Sequence, residues 1–193
     1  TSLQPQNWFT IACNRHYVHT NLYNVITQVA DDFSTTSSHG GAPLILNYLD
    51  ANFPFLDGFP LIPHLSHNDG NKLDLAFRYY SKDKHLPMNQ TVSLLGYGVY
   101  VRPGPGEIDQ TMICKQSRWQ YDITKYIGLP IHDNMIYDGG ETKRLMTLLA
   151  EADIEKIFIE PHLKNRMGIN SDKIRFHGCH AVRHDDHIHV QVR

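Results

Sequence analysis

Several large classes of protein are excluded by what this chain lacks. Its 193 residues contain no run of about 18 apolar side chains, so no stretch reads as a helix able to cross a bilayer. Net charge is nearly absent: 18 Lys and Arg against 20 Asp and Glu leave −2, which argues against nucleic acid or an anionic membrane as the main partner. Cysteine is scarce. Cys13, Cys114 and Cys179 are three in number with no CxxC pairing, which excludes a zinc-thiolate site. One disulfide plus one buried thiol, or three buried thiols, remain open. There is no internal repeat and no low-complexity tract. The chain opens at Thr1 with neither Met nor a charged-then-apolar leader, the pattern expected of a mature or trimmed form whose targeting segment has been removed. Its length suits one domain spanning 1–193 with a proper core.

Histidine is what the chain has in excess. There are 13, and five of them (His177, His180, His184, His187 and His189) crowd the last 17 positions. Successive side chains of a strand point to opposite faces, so in His187-Ile188-His189-Val190 both imidazoles share one face while Ile188 and Val190 fill the other. Upstream, His67 and Asp74 are seven positions apart, a spacing that fits no single helical face. The turn formers Asn68-Asp69-Gly70-Asn71 lie between them, so the chain is expected to reverse there in a hairpin or tight loop. A catalytic zinc takes three nitrogen or oxygen ligands and leaves a position for water. His67, Asp74 and His189 would supply such a set. A His-x-His on its own is ordinarily solvent-facing or a satisfied core pair; the added carboxylate and third imidazole favour a metal. His162, His177 and His180 read as structural, Asp69 and Asp185 as loop carboxylates, and Cys179 as a buried thiol or disulfide half.

In chain order, 8–20 reads as one or two short strands. Leu22, Ile26, Val29 and Phe33 predict a helix over 21–33. Residues 34–41 form a loop by composition, 42–53 are apolar without a decisive period, and 53–61 are irregular. Leu73 to Tyr80 predicts a strand with Asp74, Ala76 and Arg78 on one face and Leu73, Leu75 and Phe77 on the other. Residues 81–91 are a polar loop, 102–106 a firm break, and 81–140 as a whole a substrate-side lobe or long loop. Glu141 to Ala152 is the clearest helix. A strand at 156–160, a helix from His162 to Met167 ended by Gly168, and strands at 173–179 and 186–193 complete the chain. The fold class expected is α+β, a small, mostly antiparallel sheet flanked by helices. Asn89-Gln90-Thr91 matches a glycosylation sequon, meaningful only in a eukaryotic secretory setting.

His64, His67 and Asp74 form His-x-x-His-(six residues)-Asp, and His184, His187 and His189 form His-x-x-His-x-His. Six positions in two spaced groups resemble the LAS metallopeptidases, the group joining lysostaphin-type, D-alanyl-D-alanine and Sonic hedgehog zinc domains. The penicillin-insensitive murein endopeptidase branch is the nearer likeness, and Ile157 to Lys164 is similar to the element that precedes its second cluster. The resemblance covers about 60–80 and 141–193. It implies a hedgehog-like fold and a periplasmic or secreted zinc peptidase acting on a peptide bond in peptidoglycan. One zinc ion would be held by His67, Asp74 and His189, with His187 as the proton-transfer group and His184 beside the oxyanion or the substrate. His64 would orient a ligand by hydrogen bond. Asp186 stands where the dipeptidase branch carries its base, but alternation from His189 puts it on the opposite face and ranks it below His187. The alternative class is a zinc-binding module without turnover that binds cell wall or a protein partner.

Overall fold

A computed structural model describes residues 2–35, 43–54, 58–62, 64–116, 121 and 132–193. Its main sheet has six strands in the order β1 (Leu3–Pro5), β2 (Leu46–Tyr48), β3 (Lys72–Ala76), β9 (His187–Gln191), β7 (Lys156–Phe158) and β8 (Ile174–Arg175). A second sheet orders β5 (Pro87–Met88), β4 (Tyr79–Ser81) and β6 (Met135–Tyr137), all antiparallel. The fold is α+β, as expected, and the main sheet is mostly antiparallel but mixed: three of its five strand pairs are antiparallel. Its centre is antiparallel, whereas β1 and β2 at one edge and β7 and β8 at the other run parallel. Parallel neighbours need a long crossover. Both have a helical one: α1 (Trp8–Ala12) and α2 (Thr20–Thr35) lie between β1 and β2, and α5 (Pro161–Met167) lies between β7 and β8. Two further helices, α3 (Gln110–Ile113) and α4 (Gly139–Glu151), are present among the described residues.

The sheet divides its side chains by alternation. Leu73 and Leu75 of β3, Ile188 and Val190 of β9 and Ile157 of β7 enter one core with the buried faces of α2, α4 and α5. On α2 that face is Leu22, Ile26, Val29, Ala30 and Phe33, the i, i+4, i+7 pattern of an amphipathic helix. Arg144 ties α4 to α2, its guanidinium 4.0 Å from the Phe33 ring centroid and its Nη2 donating to Phe33 O at 2.9 Å. The opposite face of β3 and β9 carries Asp74, Ala76, His187 and His189. Helices therefore bury one side of the sheet and leave the other for chemistry.

Several local expectations are corrected. Residues 8–12 are a helix: the Asn7 side chain accepts from Phe9 N at 2.8 Å and caps it, and beyond it only Tyr17 makes an isolated bridge, to Asn52. Helix α2 runs on through Ser34 and Thr35, and the remainder of the 34–41 loop lies outside the described residues. The 73–80 strand is two strands in two sheets. Pairing with β9 stops at Ala76, so Arg78 is released from alternation and lies with its guanidinium 5.6 Å from the Phe33 centroid, away from Asp74. Residues 87–88 form a strand inside the expected polar loop, and the 173–179 strand shortens to Ile174–Arg175. Within 107–140, α3, a 3-10 turn (Cys114–Gln116) and β6 are present, while 117–120 and 122–131 lie outside the described residues. The clearest helix starts earlier than expected because Asp138 caps it, accepting from Glu141 N at 2.9 Å. The α5 helix ends at Gly168 in the left-handed region (φ 64°), as its sequence predicts. Cys114 and Cys179 form a disulfide across 65 positions, as one of the cysteine alternatives has it, but the remaining thiol, Cys13, is half-buried rather than buried. The Asn89 side chain is taken up structurally, accepting from Ile45 N at 2.9 Å and donating to Pro43 O at 3.2 Å, so the sequon is a packing element.

Candidate metal centre

Strand register builds the site. Asp74 pairs with His189 across β3 and β9, and Ala76 pairs with His187. Asp74 and His189 therefore meet on one face, and a one-residue slip would bury Asp74 in the apolar core instead. The small Ala76 opposite His187 leaves room for the imidazole. His67 arrives from a tight loop rather than a hairpin. In that loop Asn71 N donates to Asp69 Oδ1 at 3.0 Å, and Lys72 pairs with the Asp69 carboxylate. Gly70 is required there: its φ is +73°, and a Cβ would meet His19 Cδ2 at 2.5 Å.

The three candidate ligand atoms converge. His67 Nε2 is 3.3 Å from Asp74 Oδ1 and 3.0 Å from His189 Nδ1, and His189 Nδ1 is 2.9 Å from Asp74 Oδ1. Ligands about 2.0–2.1 Å from a tetrahedral zinc are separated by roughly 3.3 Å, so the triangle has the dimensions of one tetrahedral face. The His67 tautomer also fits. Its Nδ1 lies 2.8 Å from Ala51 O and donates to it, which leaves the Nε2 lone pair aimed at the triangle when the ring is neutral. Asp74 is fully buried among imidazoles, and a buried carboxylate needs a cation close by, either a proton or a metal. His64, His67 and Asp74 also form a buried group able to hold a metal ion, their ligand atoms all within 4.8 Å of one another.

Around the triangle lie the other expected residues. His64 Nδ1 is 2.6 Å from Asp74 Oδ2, and His187 Nε2 is 3.8 Å from the same oxygen. Asp186 precedes β9, so alternation does not govern it, and its Oδ1 lies 2.6 Å from His187 Nδ1. The His184 ring lies 4.8 Å from that of His187, and its backbone N donates to Glu160 Oε1 at 3.1 Å. His64, His184 and His187, but not Asp186, line with the triangle a cleft of about 270 Å³ rimmed by Leu65, His177, His180 and Val182. His177 and His180 are thus cleft residues, with His177 stacked 4.0 Å over Phe158. His162 is structural, bonded to Val101 O at 2.7 Å; Asp69 and Asp185 pair with Lys72 and Arg183. Cys179 is a disulfide half, as one of its two readings held.

Charge is sharply partitioned between these groups. Burial pushes His189 down to about 3 and His184 well below the ordinary range, so both are neutral at pH 7 with lone pairs available. For Asp74 burial acts upward, but His67, His64 and His187 outweigh it and hold the carboxylate well below its usual range. Burial likewise opposes the His187 cation, yet Asp74 and Asp186 raise it to about 9.

Three contributors were invisible in the sequence. The Tyr97 hydroxyl donates to Asp74 Oδ2 at 2.8 Å, Asp50 Oδ2 lies 3.4 Å from His64 Nδ1, and Gly98 N donates to Asp186 Oδ2 at 2.6 Å. The glycines beside Tyr97 are the one local signal of a special backbone, and nothing in the pattern aims the ring at Asp74.

Fold and site together define an α+β protein with a buried group able to hold a metal ion, Asp74 coming from the main sheet and His64 and His67 from the loop before it. No protein-family model matches the chain, and no curated protein matches it in sequence.

Proposed function

We propose that the chain is a zinc-dependent peptidase cutting a peptide bond in bacterial cell-wall peptidoglycan, as its resemblance to the LAS metallopeptidases implies. The observation that carries this reading is the triangle of His67 Nε2, Asp74 Oδ1 and His189 Nδ1 at 2.9–3.3 Å, set at the floor of an open cleft. Zinc held there supplies Lewis acidity, polarising a carbonyl and acidifying a water. The rest falls to the protein's own groups. His187, fixed through Nδ1 by Asp186, offers Nε2 to take a proton from the attacking water and return it to the leaving amine. Asp74 and Asp186 raise its pKa, which strengthens it as an acceptor for that proton. The His184 ring, neutral and beside His187, is placed to hydrogen-bond the substrate oxygen as charge develops. The Cys114–Cys179 disulfide supports a periplasmic or secreted setting, where such bonds persist.

One observation favours a second reading. His64 groups with His67 and Asp74, and if it joined His189 as a fourth ligand the site would be closed, as in a zinc-binding module without turnover. Zinc-loaded protein incubated with purified peptidoglycan separates the two. The peptidase releases muropeptides and His187→Ala loses that release. No release by either protein supports the binding module, and turnover of free D-Ala-D-Ala with none on intact wall points to a dipeptidase.

A further inference from the structure

Residues 91–101 carry no metal ligand, yet they touch both halves of the site. The Tyr97 hydroxyl donates to Asp74 Oδ2 at 2.8 Å and accepts from Asp50 N at 3.3 Å, and its ring stands edge-on to His64 and His187 at 4.8 and 4.9 Å. One residue on, Gly98 N donates at 2.6 Å to Asp186, whose other oxygen holds His187 Nδ1. The segment is itself held: Ser93 Oγ donates to Tyr97 O at 2.8 Å and Val101 N to Asp185 O at 2.7 Å. Gly96, at φ +78°, lies so close to Leu49 and Gln6 that no Cβ would fit without displacement. Tyr97 is thereby locked, 9 % exposed, with Leu49 and Ala76 around its ring.

A carboxylate has two oxygens, and a metal triangle needs one of them aimed at the ion. Oδ1 faces His67 and His189, while Oδ2 faces Tyr97 and His64. We propose that Tyr97 is a positioning residue for the metal centre: its hydroxyl fixes the Asp74 carboxylate with Oδ2 turned away and Oδ1 presented to the ion, while the adjoining Gly98 amide fixes His187 through Asp186. This rests on the zinc site proposed above. Partners of this kind orient a ligand and strengthen its hold on the metal, and losing one costs about 10–100-fold in affinity.

The test is the zinc dissociation constant, measured by chelator competition, of wild type, Tyr97→Phe, Asp74→Asn and His189→Ala. Phe keeps the ring and removes only the hydroxyl. Tyr97→Phe is expected to bind zinc about 10–100-fold more weakly, with the d–d spectrum of its cobalt form altered, while metal-free melting stays close to wild type. A residue that merely packs would leave the zinc constant and the spectrum unchanged. If Asp74→Asn and His189→Ala lose zinc while Tyr97→Phe stays within about twofold of wild type, the role given to Tyr97 is overturned and the site stands. If Asp74→Asn and His189→Ala bind as wild type does, the site itself is wrong and Tyr97 falls with it. Should Tyr97→Phe not fold, wild-type protein carrying 13Cζ-tyrosine answers the same question. Zinc should move the Tyr97 resonance and leave the exposed Tyr23 in place, and an unmoved Tyr97 overturns the proposal.

Discussion

Zinc should stabilise this protein by an amount that depends on His189. In the folded chain the candidate ligand atoms lie 2.9–3.3 Å apart and all three residues are buried. An unfolded chain, with His67 and His189 separated by 122 positions, offers no such site. Binding to the folded state alone contributes RT ln(1 + [L]/Kd), about 4 kcal/mol when free zinc is 1,000 times Kd. For a domain of 150–250 residues each kcal/mol moves the melting temperature by about 2–4 °C, so the expected rise is roughly 8–16 °C. Differential scanning fluorimetry of chelator-stripped protein, with and without zinc, measures it. His189→Ala leaves two ligands of the triangle, and its zinc-dependent rise should shrink below about 3 °C at the same free zinc. A full rise in His189→Ala together with its loss in His64→Ala would refute the reasoning, because the ion would then sit in the His64, His67 and Asp74 group.

Three further outcomes follow from individual contacts. Burial raises Glu160 to about 7 from 4.5, so the folded state holds its proton the more tightly; that contribution is complete below pH 4.5, lost as pH rises through 7, and amounts to about 3 kcal/mol. Glu160→Gln, neutral throughout, should flatten the stability difference between pH 5 and pH 8 in urea titrations, and an unchanged difference would count against a buried acid. Asp186→Asn removes the carboxylate on His187 Nδ1 and should cut muropeptide release by about 10–100-fold while zinc affinity changes less than about threefold; equal losses in both would place Asp186 on the metal instead. Gly70→Ala, at φ +73° with His19 against it, should destabilise by about 1–3 kcal/mol in chemical denaturation, and a neutral result would show that the His67 loop adapts freely.

The sequence made the site more legible than the fold. His187 and His189 occupy a regular strand, where side-chain direction follows from spacing alone, and Ile188 and Val190 enter the core as alternation requires. Asp74 reads equally well because Leu73 and Leu75 flank it. Register is not written in either strand, so the pairing of Asp74 with His189 had to come from the folded chain. Alternation also failed wherever a strand stopped early: Arg78 and Asp186 stand just outside β3 and β9, and each points where its own partners draw it. Only the two parallel edges of the sheet escaped, because they are strands of two or three residues, too short to show a period. Tyr97 escaped for another reason. It sits between Gly96 and Gly98 in irregular backbone, and only tertiary packing brings its hydroxyl to Asp74.

Diffraction at the zinc absorption edge from crystals grown with one equivalent of zinc tests the metal centre most directly. A single anomalous peak about 2.0–2.2 Å from His67 Nε2, Asp74 Oδ1 and His189 Nδ1 is the expected result. A peak bound by His64 in place of His189, or none within reach of Asp74, would contradict it.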